Sequence, residues 1–146
     1  MANAVSLDLS SVMAGLDRLG TNLVDAVRPA AQAGAQVFYD EVRTRAPMSA
    51  KIHGYKGQPK AFKPGNLKAA VYQVFVKDSP LERPEYQISF NKTKAFYGRF
   101  VEFGAPARGL PARPFVRPSY DARKDDALEA VKVKFLSLAR ESINAP

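Results

Sequence analysis

The chain has 146 residues, of which 46% are hydrophobic, and a formal net charge of +8. This length suits one ordinary domain with a single core. The chain has no cysteine, which excludes disulfides and thiolate metal sites and fits folding in a reducing cytosol. Neither a secretion signal nor a run of about 18 apolar residues is present, so we expect no export and no membrane span.

The positive charge is concentrated in two stretches without acidic residues. Eight lysines or arginines and no Asp or Glu lie between Val42 and Lys77, and a second acid-free window runs from Phe103 to Tyr120. Such local potentials attract phosphate backbones or acidic protein surfaces. The alternative is a solvated face that only keeps the protein soluble.

The N-terminal half, residues 7–46, has the apolar spacing of amphipathic helices. Gly20 followed by Thr21 predicts the end of a short first helix and the N-cap of a longer second one, which ends before Pro47. Pro29 is expected to kink the second helix unless it lies in the first turn. The small residues from 30 to 35 suit close packing against another backbone. The apolar stripe comprises Val12, Leu16, Leu19, Leu23 and Val27.

Residues 48–66 have no periodicity and are predicted to form a long basic loop. The loop mixes lysines with aromatic residues, which could contact phosphates and stack on a base, or dock on an acidic protein. Its only histidine, His53, is expected to be exposed and without a catalytic role. We expect a protein lacking residues 49–63 to fold. The residues predicted to contact a partner or DNA are Lys51, Tyr55, Lys56, Lys60, Phe62 and Lys63.

A β-hairpin is predicted over residues 68–92, with strands at 71–76 and 86–91. Alternation in the second strand places its apolar side chains inward, namely Tyr86, Ile88 and Phe90.

The aromatic and Pro-Arg segment, residues 95–118, begins with Phe96, Phe100 and Phe103 at helical spacing before Gly104. This predicts a short buried helix with a glycine C-cap, although a strand is the alternative. A last helix over 118–142 is predicted from the stripe Leu128, Val131, Phe135 and Leu138. Together these elements predict a single α+β domain, residues 1–146, with long amphipathic helices packed on one face of a small antiparallel β-sheet.

Glu102 is the most informative single residue, because a carboxylate among aromatic side chains is costly to bury without hydrogen-bond donors. We expect its partner to be Arg113, Arg117 or a group of backbone amides; the alternative is an exposed glutamate on the polar side of the short helix. The segment is interpreted as core and docking surface. The predicted subunit-interface residues are Tyr97, Phe100, Glu102, Phe103, Arg113, Phe115 and Arg117.

No arrangement typical of an enzyme is found in the sequence. Glycines 54, 57 and 65 do not have the spacing of a phosphate-binding loop, and no nucleophile lies beside a candidate base. Asp125, Asp126 and Glu129 could bind a hard cation, but their position near a helix start explains them without one. We therefore expect no enzymatic activity, cofactor or metal.

The chain resembles the HK97-gp10-like family of bacteriophage neck and tail-completion proteins. The resemblance rests on Ala46-Pro47, Gly65-Asn66-Leu67, the block from Tyr97 to Gly104, and Pro111-Ala112-Arg113-Pro114-Phe115 followed by Arg117-Pro118. It follows nearly the whole chain in order. Two departures are the insertion of residues 48–64 and the presence of Ala105-Pro106 where the family usually has threonine after the glycine.

The resemblance implies a structural virion protein, made in the host cytoplasm, that completes the tail or joins head to tail at the neck. It implies a homo-oligomeric ring, with six subunits expected, through which DNA passes. The implied partners are the head-closure, tail-terminator and tail-tube proteins. Residues 48–64 are expected to reach a neighbouring subunit, the tail tube or the DNA channel. The alternative is a basic nucleic-acid-binding protein that is not part of a virion.

Overall fold

The computed structural model describes residues 10–58 and 60–144, with the side chains of residues 11 and 12 excepted. The described part therefore leaves out residues 7–9 of the predicted helical half, and it leaves out the Val12 side chain of the apolar stripe.

The first helix, α1, is continuous from Ser10 to Arg45 and contains Pro29. The predicted break at Gly20 is wrong. Thr21 does not cap a new helix, because its Oγ1 donates to the carbonyl of Asp17, 3.1 Å away, within the same helix. One glycine costs a helix only about 1 kcal/mol. That is too little to end a helix whose apolar stripe continues on both sides.

The predicted antiparallel hairpin is confirmed, with β1 at Val71–Phe75 and β2 at Tyr86–Phe90. Val71 pairs with Phe90 and Phe75 with Tyr86. The predicted inward side chains of β2 are half-buried. A short helix, α2 at Asn66–Ala70, comes directly before β1 and was not predicted. It follows Gly65, whose φ of 81° is a backbone conformation that favours glycine.

The aromatic segment forms helix α3, Gly98–Phe103, so the helix rather than the strand is confirmed. Gly104, with φ of 74°, ends this helix as predicted. A single 3₁₀ turn at Pro106–Arg108 follows, and the last helix, α4, runs over Val116–Asn144. It begins and ends two residues beyond the predicted limits of 118 and 142.

Helices α1 and α4 lie antiparallel. Glu41 near the end of α1 forms an ion pair with Arg123 near the start of α4. Gly34, about two turns earlier in α1, lies against Val131, further along α4. A Cβ atom at Gly34 would be 2.6 Å from Cγ2 of Val131, so glycine is what allows this close approach. The prediction that small residues of α1 permit close backbone packing is confirmed at this position.

Close packing also changes which α4 residues are buried. Leu128, predicted to lie in the core-facing stripe, is 54% exposed, whereas Ala127 is 3% exposed. The small Ala127 faces Gly34. Leu128, the next residue, lies about 100° further around α4 and is therefore turned away from this contact. The other three members of the predicted stripe are half-buried.

The core lies at the C-terminal end of α1, where the hairpin, α2, α3 and the start of α4 meet. Its buried members are Val42, Ala46, Phe62, Leu67, Ala70, Val71, Ala95, Tyr97 and Phe115. The molecule thus has long helices packed against a small two-stranded antiparallel sheet, and the predicted α+β class is confirmed.

Candidate functional site

The carboxylate of Glu102 caps the start of α4. Its Oε2 accepts hydrogen bonds from the backbone N–H groups of Phe115 (2.8 Å) and Val116 (3.1 Å), and its Oε1 accepts one from Arg117 (3.3 Å). Glu102 is only 7% exposed. Of the partners predicted for this carboxylate, the backbone amides are therefore the ones observed, and the exposed alternative is wrong.

The spacing of the prolines explains why these three donors are available. Pro114 and Pro118 have no N–H, so residues 115–117 are the three consecutive donors between them. The first N–H groups of a helix have no partner within the helix, and a negative charge there is favoured by the helix dipole. Glu102 thereby connects the end of α3 to the beginning of α4.

The segment between these helices is fixed by backbone contacts. The N–H of Arg113 donates to the carbonyl of Val101 at 2.7 Å, and Ala105 pairs with Leu110 in both directions. A Cβ atom at Gly104 would lie 2.8 Å from the backbone nitrogen of Ala112, so this position requires glycine for space as well as for its positive φ.

The predicted interface residues fall into two groups in this structure. Tyr97, Phe115 and Glu102 are buried within the subunit, at 4%, 1% and 7% exposure. Phe103, in contrast, is 73% exposed. Phe100 is half-buried, and the guanidinium of Arg108 lies over its ring at 5.2 Å. Arg113 and Arg117 are exposed, so the surface that a partner can reach consists of Phe103 and the arginines.

The basic loop is packed against the core instead of extending from it. His53 and Phe62 pair through two backbone hydrogen bonds of 3.1 and 2.7 Å. Phe62 is 9% exposed, and its ring contacts those of Tyr55 and Tyr97. His53 is half-buried against the same rings, so the expectation that it is exposed is wrong.

This packing also changes two expectations about the loop. The ring of Phe62 is part of the core and is not free to stack on a base. Deleting residues 49–63 would remove Phe62 and Tyr55 from the aromatic cluster, so the structure predicts an unstable protein rather than a folded one. The predicted contact lysines are exposed, as their role requires; they are Lys51, Lys56, Lys60 and Lys63.

Burial raises the pKa of the Tyr55 hydroxyl above its usual value of 10.0, and the neighbouring Tyr97 raises it further. Tyr55 is therefore neutral at physiological pH. Its ring stacks on that of Tyr97, with 5.4 Å between the ring centroids.

A cavity of about 360 Å³ lies between this loop, the start of α2 and α3. Its lining includes Lys63 and Arg113, which come from separate acid-free stretches of the sequence, and none of the described residues that line it is acidic. Asn66 also lines it and donates to the hydroxyl of Tyr97 (3.1 Å) and the carbonyl of Lys94 (2.8 Å). Asn66 was not predicted as a site residue, and since its partners are 28 and 31 residues away, no local pattern indicates its role.

In the part of the chain that the structure describes, no group of three or more His, Asp or Glu side chains could hold a metal ion. None of the described helices is both long enough and apolar enough to cross a bilayer.

Comparison with known proteins identifies the family. No curated protein and no solved structure matches the chain. A family model described as "Bacteriophage HK97-gp10, putative tail-component" matches residues 10–104, which include α1, the hairpin and α3 with Glu102. This match extends over well more than half of the chain. The protein therefore belongs to the HK97-gp10-like family of bacteriophage tail components.

Proposed function

We propose that this protein is a ring subunit in the neck of a long-tailed bacteriophage, where it completes the tail or joins it to the head without catalysing a reaction. Its family supports a structural role in the tail. The observation that carries the ring is the presence of two separate sets of exposed apolar side chains, one along the α1–α4 pair away from the core and one beside the core.

What we call the distal surface lies along the part of the α1–α4 pair away from the core: Val133, Leu136 and Ile143 lie on the second half of α4, and Met13 and Leu16 lie on the turns of α1 beyond the end of α4. Its side chains are between 52 and 65% exposed; they are Met13, Leu16, Val133, Leu136 and Ile143. What we call the loop side is the set of exposed apolar side chains in the segments around the core: Met48 and Ile52 in the loop, Phe103 at the end of α3, and Leu110 in the segment before α4. At 1.5 Å per residue along one helix, Leu16 is roughly 40 Å from Val42 in the core.

Two different surfaces on one subunit are what a closed ring requires. In a ring, each subunit contacts its neighbours head to tail, so one patch of a subunit meets another patch of the next. Large exposed apolar side chains that are grouped together commonly mark such contacts. The residues Phe103, Arg113 and Arg117 of the predicted interface belong to the loop side.

The remaining faces of the ring would contact other virion proteins, namely the head-closure, tail-terminator and tail-tube proteins. The exposed lysines of the loop give this end a positive potential, which also suits passage of DNA through the channel. The expected number of subunits, six, is the number that the family resemblance implies.

The decisive experiment is ablation of the gene in the phage that encodes this protein, followed by electron microscopy of the lysate. We expect DNA-filled heads and separate tails, with joining restored when the wild-type protein is supplied. The wild-type protein, carrying a small tag, should then be found at the neck of the restored particles. Normal infectious particles without the protein would refute the proposal. They would favour the alternative, a basic nucleic-acid-binding protein that is not part of a virion.

A further inference from the structure

We propose that the cavity between the loop, α2 and α3 binds an acidic side chain of another protein, with its carboxylate held between Lys63 and Arg113. We call this cavity the loop cavity. That the other protein is a neighbouring virion component rests on the proposed function, whereas the recognition of a carboxylate does not.

No acidic side chain of the described residues neutralises the charge of the loop cavity. Within the described residues, neither Lys63 nor Arg113 forms an ion pair. The acidic residues nearest in sequence to Arg113 are Asp121 and Glu102; Asp121 forms no ion pair with it, and both oxygens of Glu102 accept hydrogen bonds from the start of α4. Two cations without a counter-charge at one concave site favour an anionic ligand.

The wall of the loop cavity also offers hydrogen-bond donors. The Tyr97 hydroxyl accepts a hydrogen bond from Asn66, which leaves its own proton able to donate. The Ser49 hydroxyl oxygen, Oγ, lies 3.2 Å from Nδ1 of His53, and both residues line the cavity. A carboxylate accepts from several donors at once, so the cations and these neutral groups together match its chemistry.

The loop cavity is formed before any ligand arrives. Its wall is held by the ring contacts of His53 with Tyr55 and Tyr97 and by the backbone pairing of His53 with Phe62. A site that is already ordered loses little conformational entropy on binding. Its volume of about 360 Å³ is at the small end for ligand sites, which suits one or two amino-acid side chains.

The aromatic contacts favour a protein ligand over a nucleic acid. The Tyr55 ring already stacks on Tyr97 and makes T-shaped contacts with Phe62 and Phe96, so it is held within the aromatic cluster instead of being presented to a base. The rim is partly apolar, since Met48 lines the cavity and is 66% exposed. An apolar rim contributes little to binding the phosphate backbone of a duplex. A peptide with an acidic residue flanked by aliphatic residues contacts both the cations and the rim.

The test is a nuclear magnetic resonance titration of the full-length protein with two short peptides. The probe is acetyl-Leu-Glu-Leu-amide, and its matched neutral control is acetyl-Leu-Gln-Leu-amide. We expect the acidic peptide to bind at least tenfold more tightly and to shift the backbone signals of residues 48–66 together with those of Tyr97 and Arg113. Equal binding of the two peptides, or shifts elsewhere in the molecule, would overturn the proposal.

Two double variants with the same change in net charge separate the loop cavity from the general positive potential. Lys63→Gln with Arg113→Gln should weaken binding of the acidic peptide at least tenfold. Lys77→Gln with Lys92→Gln, both exposed and outside the cavity, should weaken it less than twofold. If both pairs weaken binding equally, the attraction is non-specific and the proposal fails.

A 20-base-pair DNA duplex provides the competing arm. If the site recognises a carboxylate, the two double variants should change duplex affinity equally. A loss of duplex affinity confined to Lys63→Gln with Arg113→Gln would show that the site binds phosphate and would overturn the proposal. These measurements use the isolated protein, so their failure would remove the carboxylate site and leave the ring intact. Normal particles after gene ablation would instead remove the ring and leave the carboxylate site standing.

Discussion

At the residue scale, Glu102 links α3 to α4, because its carboxylate accepts hydrogen bonds from the first backbone N–H groups of α4. Glu102→Ala would leave the N–H groups of residues 115–117 without their acceptor in a largely buried place. We expect a loss of about 2 to 4 kcal/mol in the free energy of unfolding, measured by chemical denaturation. Glu129→Ala, an exposed change on α4, should cost less than about 0.5 kcal/mol. Equal losses in the two variants would refute the capping role.

Tyr55 gives a prediction about pH. Because its pKa is higher in the folded protein than in the unfolded chain, the folded state retains the proton when pH rises above 10.0 and the unfolded state releases it. Stability should therefore fall as pH increases through this range. Tyr55→Phe keeps the ring and removes the ionisable group, so its melting temperature should fall less between pH 9 and pH 11 than that of the wild type. If the melting temperatures of the wild type and Tyr55→Phe fell equally with pH, that result would contradict the raised pKa of Tyr55.

Glu102 also shows how far residue-level reasoning can go. Its need for donors follows from burial energetics alone, and the spacing of Pro114 and Pro118 marks the three amides that supply them. The burial of Phe62 could not be predicted in the same way. It depends on pairing with His53 across a loop that has no periodicity, and only the folded chain brings the two together.

At the element scale, the two helical glycines Gly34 and Gly20 have opposite roles. Gly34→Ala would place a Cβ atom 2.6 Å from Val131 and 3.1 Å from the carbonyl oxygen of Ala127, so α1 and α4 would have to separate. We expect a net loss of about 1 to 2 kcal/mol in unfolding free energy. Gly20→Ala meets no atom of the described residues within 4 Å and should stabilise the protein by up to about 1 kcal/mol. Denaturant titration of both variants measures the difference.

The opposite result would be informative for each glycine. If Gly34→Ala were stabilising, the helices would not be in close contact there. If Gly20→Ala were destabilising, α1 would be interrupted as the sequence suggested. The sequence pattern predicts the existence and type of the long helices well, because their periodicity is strong. It cannot decide between one helix and two at Gly20, because the cost of a glycine is small compared with the packing along the rest of α1.

At the scale of the whole molecule, the distal surface predicts a separation between folding and assembly. Val133→Glu with Leu136→Glu changes two side chains that are 59% and 52% exposed. The melting temperature of the subunit should change by only a few degrees, while oligomers measured by light scattering should be lost. Lys132→Gln with Lys134→Gln, at adjacent exposed positions, makes the same change in net charge and should retain more assembly. Unchanged oligomers in the first variant would refute the role of the distal surface.

The antiparallel register of the helix pair has a further consequence for α1. Because Glu41 lies opposite Arg123 and Gly34 opposite Val131, the last described residue of α4, Asn144, reaches only as far as Gly20. The turns of α1 from Ser10 to Gly20 extend past the end of their partner helix. An unsupported helix of that length is marginal in water. Backbone amides there should exchange with deuterium much faster than those near Val42, and a neighbouring subunit that covers this overhang would slow the exchange by ordering it.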